Sequence, residues 1–130
     1  MNIIYRYIIM NEYIDCSKVY IGKSKHGLGV FANKDLEVDE VVEVGMITPL
    51  VNVDGNENPH LFTWSNDRKV WATGSGLLPF YNHFYVPNVK KIGDLNLNTM
   101  KVIAIKPIKK GEEIGNYYHS KEWRKCFQLF

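Results

Sequence analysis

The chain has 130 residues and a formal net charge of +2, with 45% of its residues hydrophobic and 23% charged. That size suits one domain with a core of its own, and the composition excludes a disordered or low-complexity chain. So small an excess of positive charge gives no ground by itself for a nucleic-acid partner.

The opening Met1–Met10 run carries Arg6 and no small-residue cleavage site, so it reads as structure rather than a signal peptide. Its apolar stretch Ile8–Met10, like Val41–Met46 further on, is far shorter than a membrane span. Segment 1–14, with Tyr5, Tyr7 and Tyr13, is left open between an edge strand and a dimer contact. Cys16 and Cys126 are the two cysteines and can build neither a disulfide scaffold nor a four-thiolate zinc site. A reduced intracellular setting is therefore expected, and the mean hydropathy of −0.23 suits a soluble chain.

Strands are expected at Val19–Ile21, Gly29–Ala32, Val41–Met46 and Met100–Ile105, which are rich in β-branched and aromatic residues. Turn clusters separate them: Val53–Pro59, Gly74–Gly76 and Gly93–Asn98. Lys34–Val42 and Lys106–Ile114 share Lys, an aliphatic, Glu and an aliphatic at equal offsets, which reads as two hairpins with acidic turns. At the end, Trp123, Cys126, Phe127 and Phe130 fall at i, i+3, i+4 and i+7, with Lys121, Arg124, Lys125 and Gln128 opposite. Ser120 is a natural N-cap before them, so a short amphipathic helix is expected.

Three stretches carry chemistry-bearing residues. Lys25-His26-Gly27-Leu28-Gly29-Val30-Phe31-Ala32 holds a Gly-x-Gly pair that lets a ligand approach the backbone, but it enters a strand and lacks both dinucleotide and P-loop endings. Tyr81-Asn82-His83 precedes a Pro87-Asn88 turn and offers directional donors and acceptors. Gly111-Glu112-Glu113-Ile114-Gly115-Asn116-Tyr117-Tyr118 puts two carboxylates on opposite faces of a strand, which is no acid/base dyad.

Taken in order, these stretches resemble the SET-domain family of protein-lysine methyltransferases, over about Val19 to Trp123. The chain is similar to the small stand-alone members of viruses and bacteria, for which the setting would be cytoplasm or host cell. The resemblance implies a mainly β fold of short sheets with a C-terminal pseudoknot, an N-terminal extension at 1–18, the SET domain at 19–123 and a tail at 124–130. It implies S-adenosylmethionine held by His26, Gly27, Leu28 and Gly29, by Tyr81, Asn82 and His83, and by Trp123 stacked on the adenine. For Trp123 the helix stripe is an equal alternative.

Counting from Gly111, the family's active-site tyrosine falls on Tyr118, with Tyr117 as the alternative, since only one of two strand neighbours can face the channel. The implied lysine channel is His60, Phe62 and Tyr118. This sequence departs from the family pattern at Pro79, where Arg is usual, at Phe84 for Ser, at Gly115 for Thr, and at His60 for a channel tyrosine. The implied reaction is methyl transfer to a lysine ε-amine by in-line displacement without a metal, on a histone or another protein.

Two other readings stand beside it. One is the same fold as an inactive module that binds a lysine-bearing peptide by strand addition. The other is a small β domain binding nucleic acid through Lys90, Lys91, Lys106, Lys109, Lys110, Lys121, Arg124 and Lys125, which interleaved acidic residues disfavour.

Overall fold

The computed structural model describes residues 14–25 and 27–128, and the β-branched and aromatic runs form its strands. In chain order these are β1 (Val19–Ser24), β2 (Gly27–Ala32), β3 (Val41–Leu50), β4 (Phe62–Thr63), β5 (Trp71–Gly74), β6 (Asn82–His83), β7 (Val89–Asp94), β8 (Thr99–Ala104) and β9 (Glu113–Asn116). One sheet runs β1-β2-β9-β6 and the other β4-β5-β3-β8-β7. The fold is mainly β, in agreement with the strand pattern of the sequence. The expectations that rest on 1–13, on His26 and on Phe130 lie outside the described residues.

The two sheets share one core. Val30, Ala32 and Ile114 of the first meet Val42, Ile47, Val89, Val102 and Ala104 of the second, all buried. Each such branched side chain contributes about 1.5–3 kcal/mol by leaving water, which is what holds two short sheets together.

The two echoing segments are not hairpins. A hairpin returns the chain to the same sheet, whereas 33–40 carries it from β2 to β3 and 105–112 carries it back from β8 to β9. The crossings pair with each other: Leu36 N–H donates to Ile108 O at 2.7 Å, and Ile108 N–H donates to Leu36 O at 2.9 Å. Leu36 and Ile108 are both buried, so each crossing places one aliphatic in the core between the sheets, while its other aliphatic, Val38 or Ile105, stays exposed. The alternation of apolar and polar residues is right, and the topology it suggests is wrong.

The C-terminal stripe also resolves differently. Residues 119–123 form turns and Lys125–Phe127 a 3-10 turn, with Arg124 extended between them at φ −80° and ψ 132°. Arg124, expected on the solvent face, is 4% exposed. Its Nη2 donates to Gly55 O at 3.0 Å and Asn58 O at 2.6 Å, which draws it inward and interrupts the helix.

Strands β6 and β9 pair in parallel, which brings the Asn-His segment alongside the C-terminal one. Asn82 sits opposite Gly115 and His83 opposite Asn116. Buried Asn88 fixes this crossing: its Nδ2 donates to Glu113 O at 2.9 Å and its Oδ1 accepts from Gly115 N–H at 2.9 Å.

Candidate active site

The end of β1, the start of β2, β6 and β9 converge on a small polar cluster. Asn82 Nδ2 donates to Leu28 O at 3.1 Å and to Glu113 Oε2 at 2.9 Å, and Ser24 Oγ donates to Glu113 Oε1 at 2.9 Å. Gly29 lies directly beneath. A β-carbon there would stand 2.7 Å from Glu113 Oε2 and 2.9 Å from Asn82 Nδ2, too close for any side chain without displacing the cluster. Gly27 opens β2 with φ 104°.

His83 links this cluster to the C-terminal tyrosines. Its Nδ1 accepts the Tyr118 backbone N–H at 2.9 Å, so the neutral ring carries its proton on Nε2. Burial, aided by nearby Lys121, holds the imidazole below its ordinary pKa and keeps it neutral. Nε2 is buried without a hydrogen-bond partner. Tyr85 and Tyr117 pack edge-on against the ring at 4.6 and 4.9 Å, and Tyr118 at 5.4 Å.

The Tyr118 hydroxyl donates to the backbone carbonyl of Tyr81. Burial pushes this phenol up to about 12, against the pull of the Arg124 guanidinium, so it stays protonated. Phe127 packs at a tilt against its ring, with centroids 5.0 Å apart. Only the backbone of Tyr81 takes part here. Its side chain is buried, and its hydroxyl donates to Glu43 Oε1 at 2.7 Å.

These groups surround a cleft of about 920 Å³ whose lining includes Leu28, His60, Asn82, His83 and Tyr118. His60 enters from the loop after Asn58, whose Oδ1 accepts its N–H at 3.0 Å. Of the residues singled out from the sequence, Gly27, Gly29 and Tyr81 border the site without lining this cleft, and three more stand elsewhere. Tyr117 lines a neighbouring recess of about 250 Å³. Phe62 packs against the core beneath the Lys91 amine, at 4.9 Å. Trp123 lies 6.1 Å from Trp71, with the Arg68 guanidinium 4.4 Å above it.

The cleft also has walls that the sequence motifs do not mark. Phe84, Tyr85, Val86, Glu113, Lys121 and Phe127 line it. Tyr85 and Val86 are both 72% exposed, an apolar pair left uncovered at the rim. Phe127 could have been found as a member of the apolar stripe. Arg124 could not, because nothing in a run of basic residues says which one is buried.

A sequence model of the SET domain matches residues 27–119. Among solved structures, a Plasmodium falciparum candidate histone methyltransferase is 30% identical, covering 78% of this chain and 97% of that one with a TM-score of 0.62. A humanized mutant of the Chaetomium thermophilum Polycomb Repressive Complex 2, bound to the inhibitor GSK126, matches at 28% identity and a TM-score of 0.67, over 82% of this chain. The same fungal complex in an autoinhibited conformation bound to S-adenosylmethionine matches at 26% identity and a TM-score of 0.66, also over 82% of this chain. This chain spans only 15% and 16% of those two. No curated protein matches it.

Proposed function

The chain belongs to the SET-domain family, and on that premise we propose that it transfers a methyl group from S-adenosylmethionine to the ε-amine of a lysine in a protein substrate. One observation carries the reading: Leu28, Asn82, His83 and Tyr118, from distant parts of the sequence, line a single cleft. The residues fit the cofactor. With no side chain at Gly29, the Asn82 amide and the Glu113 carboxylate reach the cleft wall, and His83 Nε2 is a buried donor there awaiting an acceptor. The parallel pairing of β6 with β9 supports the threaded C-terminal crossing that the family implies.

Bound S-adenosylmethionine supplies a sulfonium-activated methyl group, which the amine lone pair takes as the carbon–sulfur bond breaks and leaves its electrons on sulfur. The protein must bring the amine in uncharged and in line. A channel walled by Phe80, Phe84 and Phe127 disfavours the ammonium form, so its proton leaves to solvent on entry. Tyr118 cannot act as a base, since its phenol stays protonated. It positions instead. With its proton committed to the Tyr81 carbonyl, its oxygen presents lone pairs to the incoming N–H groups. Holding the reactants in line replaces a bimolecular encounter with an oriented one.

Titration calorimetry with S-adenosylmethionine tests the reading. Saturable binding in the wild type, weakened at least about tenfold by Asn82→Ala, is the expected result. Absence of binding overturns it.

A further inference from the structure

Two ionisable side chains that the proposed chemistry does not use stand behind the cleft, Glu43 buried and Lys91 half-buried with its amine turned inward. Glu43, on β3, is 1% exposed. Its Oε2 accepts the Leu77 N–H at 2.8 Å, and its Oε1 accepts the Tyr81 hydroxyl at 2.7 Å. Lys91, on β7, donates through Nζ to Leu78 O at 2.8 Å, with that nitrogen 4.9 Å from the Phe62 ring and 4.8 Å from the Tyr81 ring. Among the described residues, no carboxylate forms an ion pair with it.

Three of these anchor points fall on one short stretch of chain. Leu77 is the N-cap of the 3-10 turn Leu78–Phe80, and no side chain of the turn itself caps it. Glu43 supplies the missing acceptor from another strand. Pro79 and Phe80 line the cleft, and the next residue is Tyr81, whose carbonyl receives the Tyr118 hydroxyl. An acid therefore holds the turn at both ends and an amine holds it between them. Placing two ionisable groups in an apolar setting without an ion pair between them is a poor way to gain stability, because apolar side chains of the same volume would serve better. Placement of the turn is what the pair achieves.

We infer that Glu43 and Lys91 are positioning residues for methyl transfer: they fix the backbone from Leu77 to Tyr81, and so the place where the Tyr81 carbonyl and the Tyr118 hydroxyl meet the acceptor amine. The inference rests on the proposed role of Tyr118 in orienting that amine. A displacement of about 1 Å in such a contact lowers turnover on the order of a hundredfold, while groups that bind the cofactor elsewhere are untouched.

The test uses Glu43→Gln, Lys91→Met and the double variant, with circular dichroism to confirm folding. The double variant guards against an unpaired buried charge unfolding either single one. The first readout needs no turnover. In protein labelled with ¹³Cζ-tyrosine, the Tyr118 resonance, identified by its loss in Tyr118→Phe, is expected to shift in each folded variant. An unchanged resonance overturns the inference. The second readout is kinetic. Relative to wild type, kcat is expected to fall about tenfold or more in Lys91→Met with cofactor Kd within about twofold, and the same substitution is expected to cost no more in a Tyr118→Phe background. Unchanged kcat, or a full independent loss in that background, overturns it as well. A wild type that transfers no methyl group to any protein speaks against the proposed function, and the resonance still decides the positioning role.

Discussion

The Phe84 ring lies against the α-carbon of Gly115, so closely that any β-carbon at position 115 would overlap it. These are two of the positions where the sequence departs from its family, and the structure makes them one change. A bulky ring at 84 occupies the space that a side chain at 115 would need. The prediction is a coupled pair. Gly115→Thr alone is expected to destabilise the fold by about 1–3 kcal/mol through overpacking. Phe84→Ser with Gly115→Thr is expected to be more stable than the sum of the single changes, by about 0.5–3 kcal/mol. Denaturant unfolding of the four proteins measures both, and additive effects would refute the coupling.

Gly29→Ala is expected to weaken S-adenosylmethionine binding at least about tenfold, because the new methyl group meets the Glu113 carboxylate and the Asn82 amide. Calorimetry reads the affinity, and an unmelted circular dichroism spectrum separates the effect from unfolding. Affinity equal to wild type would mean that the Asn82–Glu113 cluster does not hold the cofactor.

Ile114→Ala tests the shared core. This side chain is fully buried between the sheets. Truncation is expected to cost about 2–5 kcal/mol, seen as a lower midpoint of urea unfolding. A loss under about 1 kcal/mol would show that the site re-closes and that the sheets are held together elsewhere.

Lys91 makes stability depend on pH. Burial pushes its amine from the ordinary 10.5 down to about 7, with Glu43 pulling weakly the other way. Between pH 7 and 10.5 the unfolded chain therefore binds a proton that the folded chain does not. Stability due to this group rises with pH across that window, and below pH 7 the whole cost of the buried ammonium is present. Relative to Lys91→Met, the wild type should gain on the order of a few kcal/mol between pH 6.5 and 9.5. Asp15, Cys16 and Tyr81, which also face this region, are common to both proteins, and making the comparison in a Glu43→Gln background removes the one carboxylate coupled to the amine. Thermal unfolding of the two proteins across that range gives the difference directly; a constant gap would contradict the burial of the amine.

The strands beginning near Val19, Val30, Val41 and Met100 were legible because their short runs are rich in β-branched and aromatic residues, which suit a pleated, half-buried surface. Which sheet each strand joins was not legible, since Leu36 and Ile108 look alike whether the chain turns back or crosses over. The C-terminal period was present in the sequence, but it could not reveal that the Arg124 guanidinium would be drawn to the carbonyls of a distant loop. Among the candidate site residues, Asn82, His83 and Tyr118 could be picked out from motif order, and the three line one cleft. Glu43 could not. A register shift between Val41 and Glu43 interrupts the alternation of β3, so a residue that reads as outward-facing is buried with its neighbours.

The most direct measurement is mass spectrometry of a mixed protein extract treated with the wild-type protein and with Tyr118→Phe, using S-adenosylmethionine that carries a deuterated methyl group. The account predicts deuterated methyl groups on lysine side chains with the wild type and a loss of most of that label with Tyr118→Phe, while Tyr117→Phe retains it. Label on other residue types, or equal label with Tyr118→Phe, would contradict it.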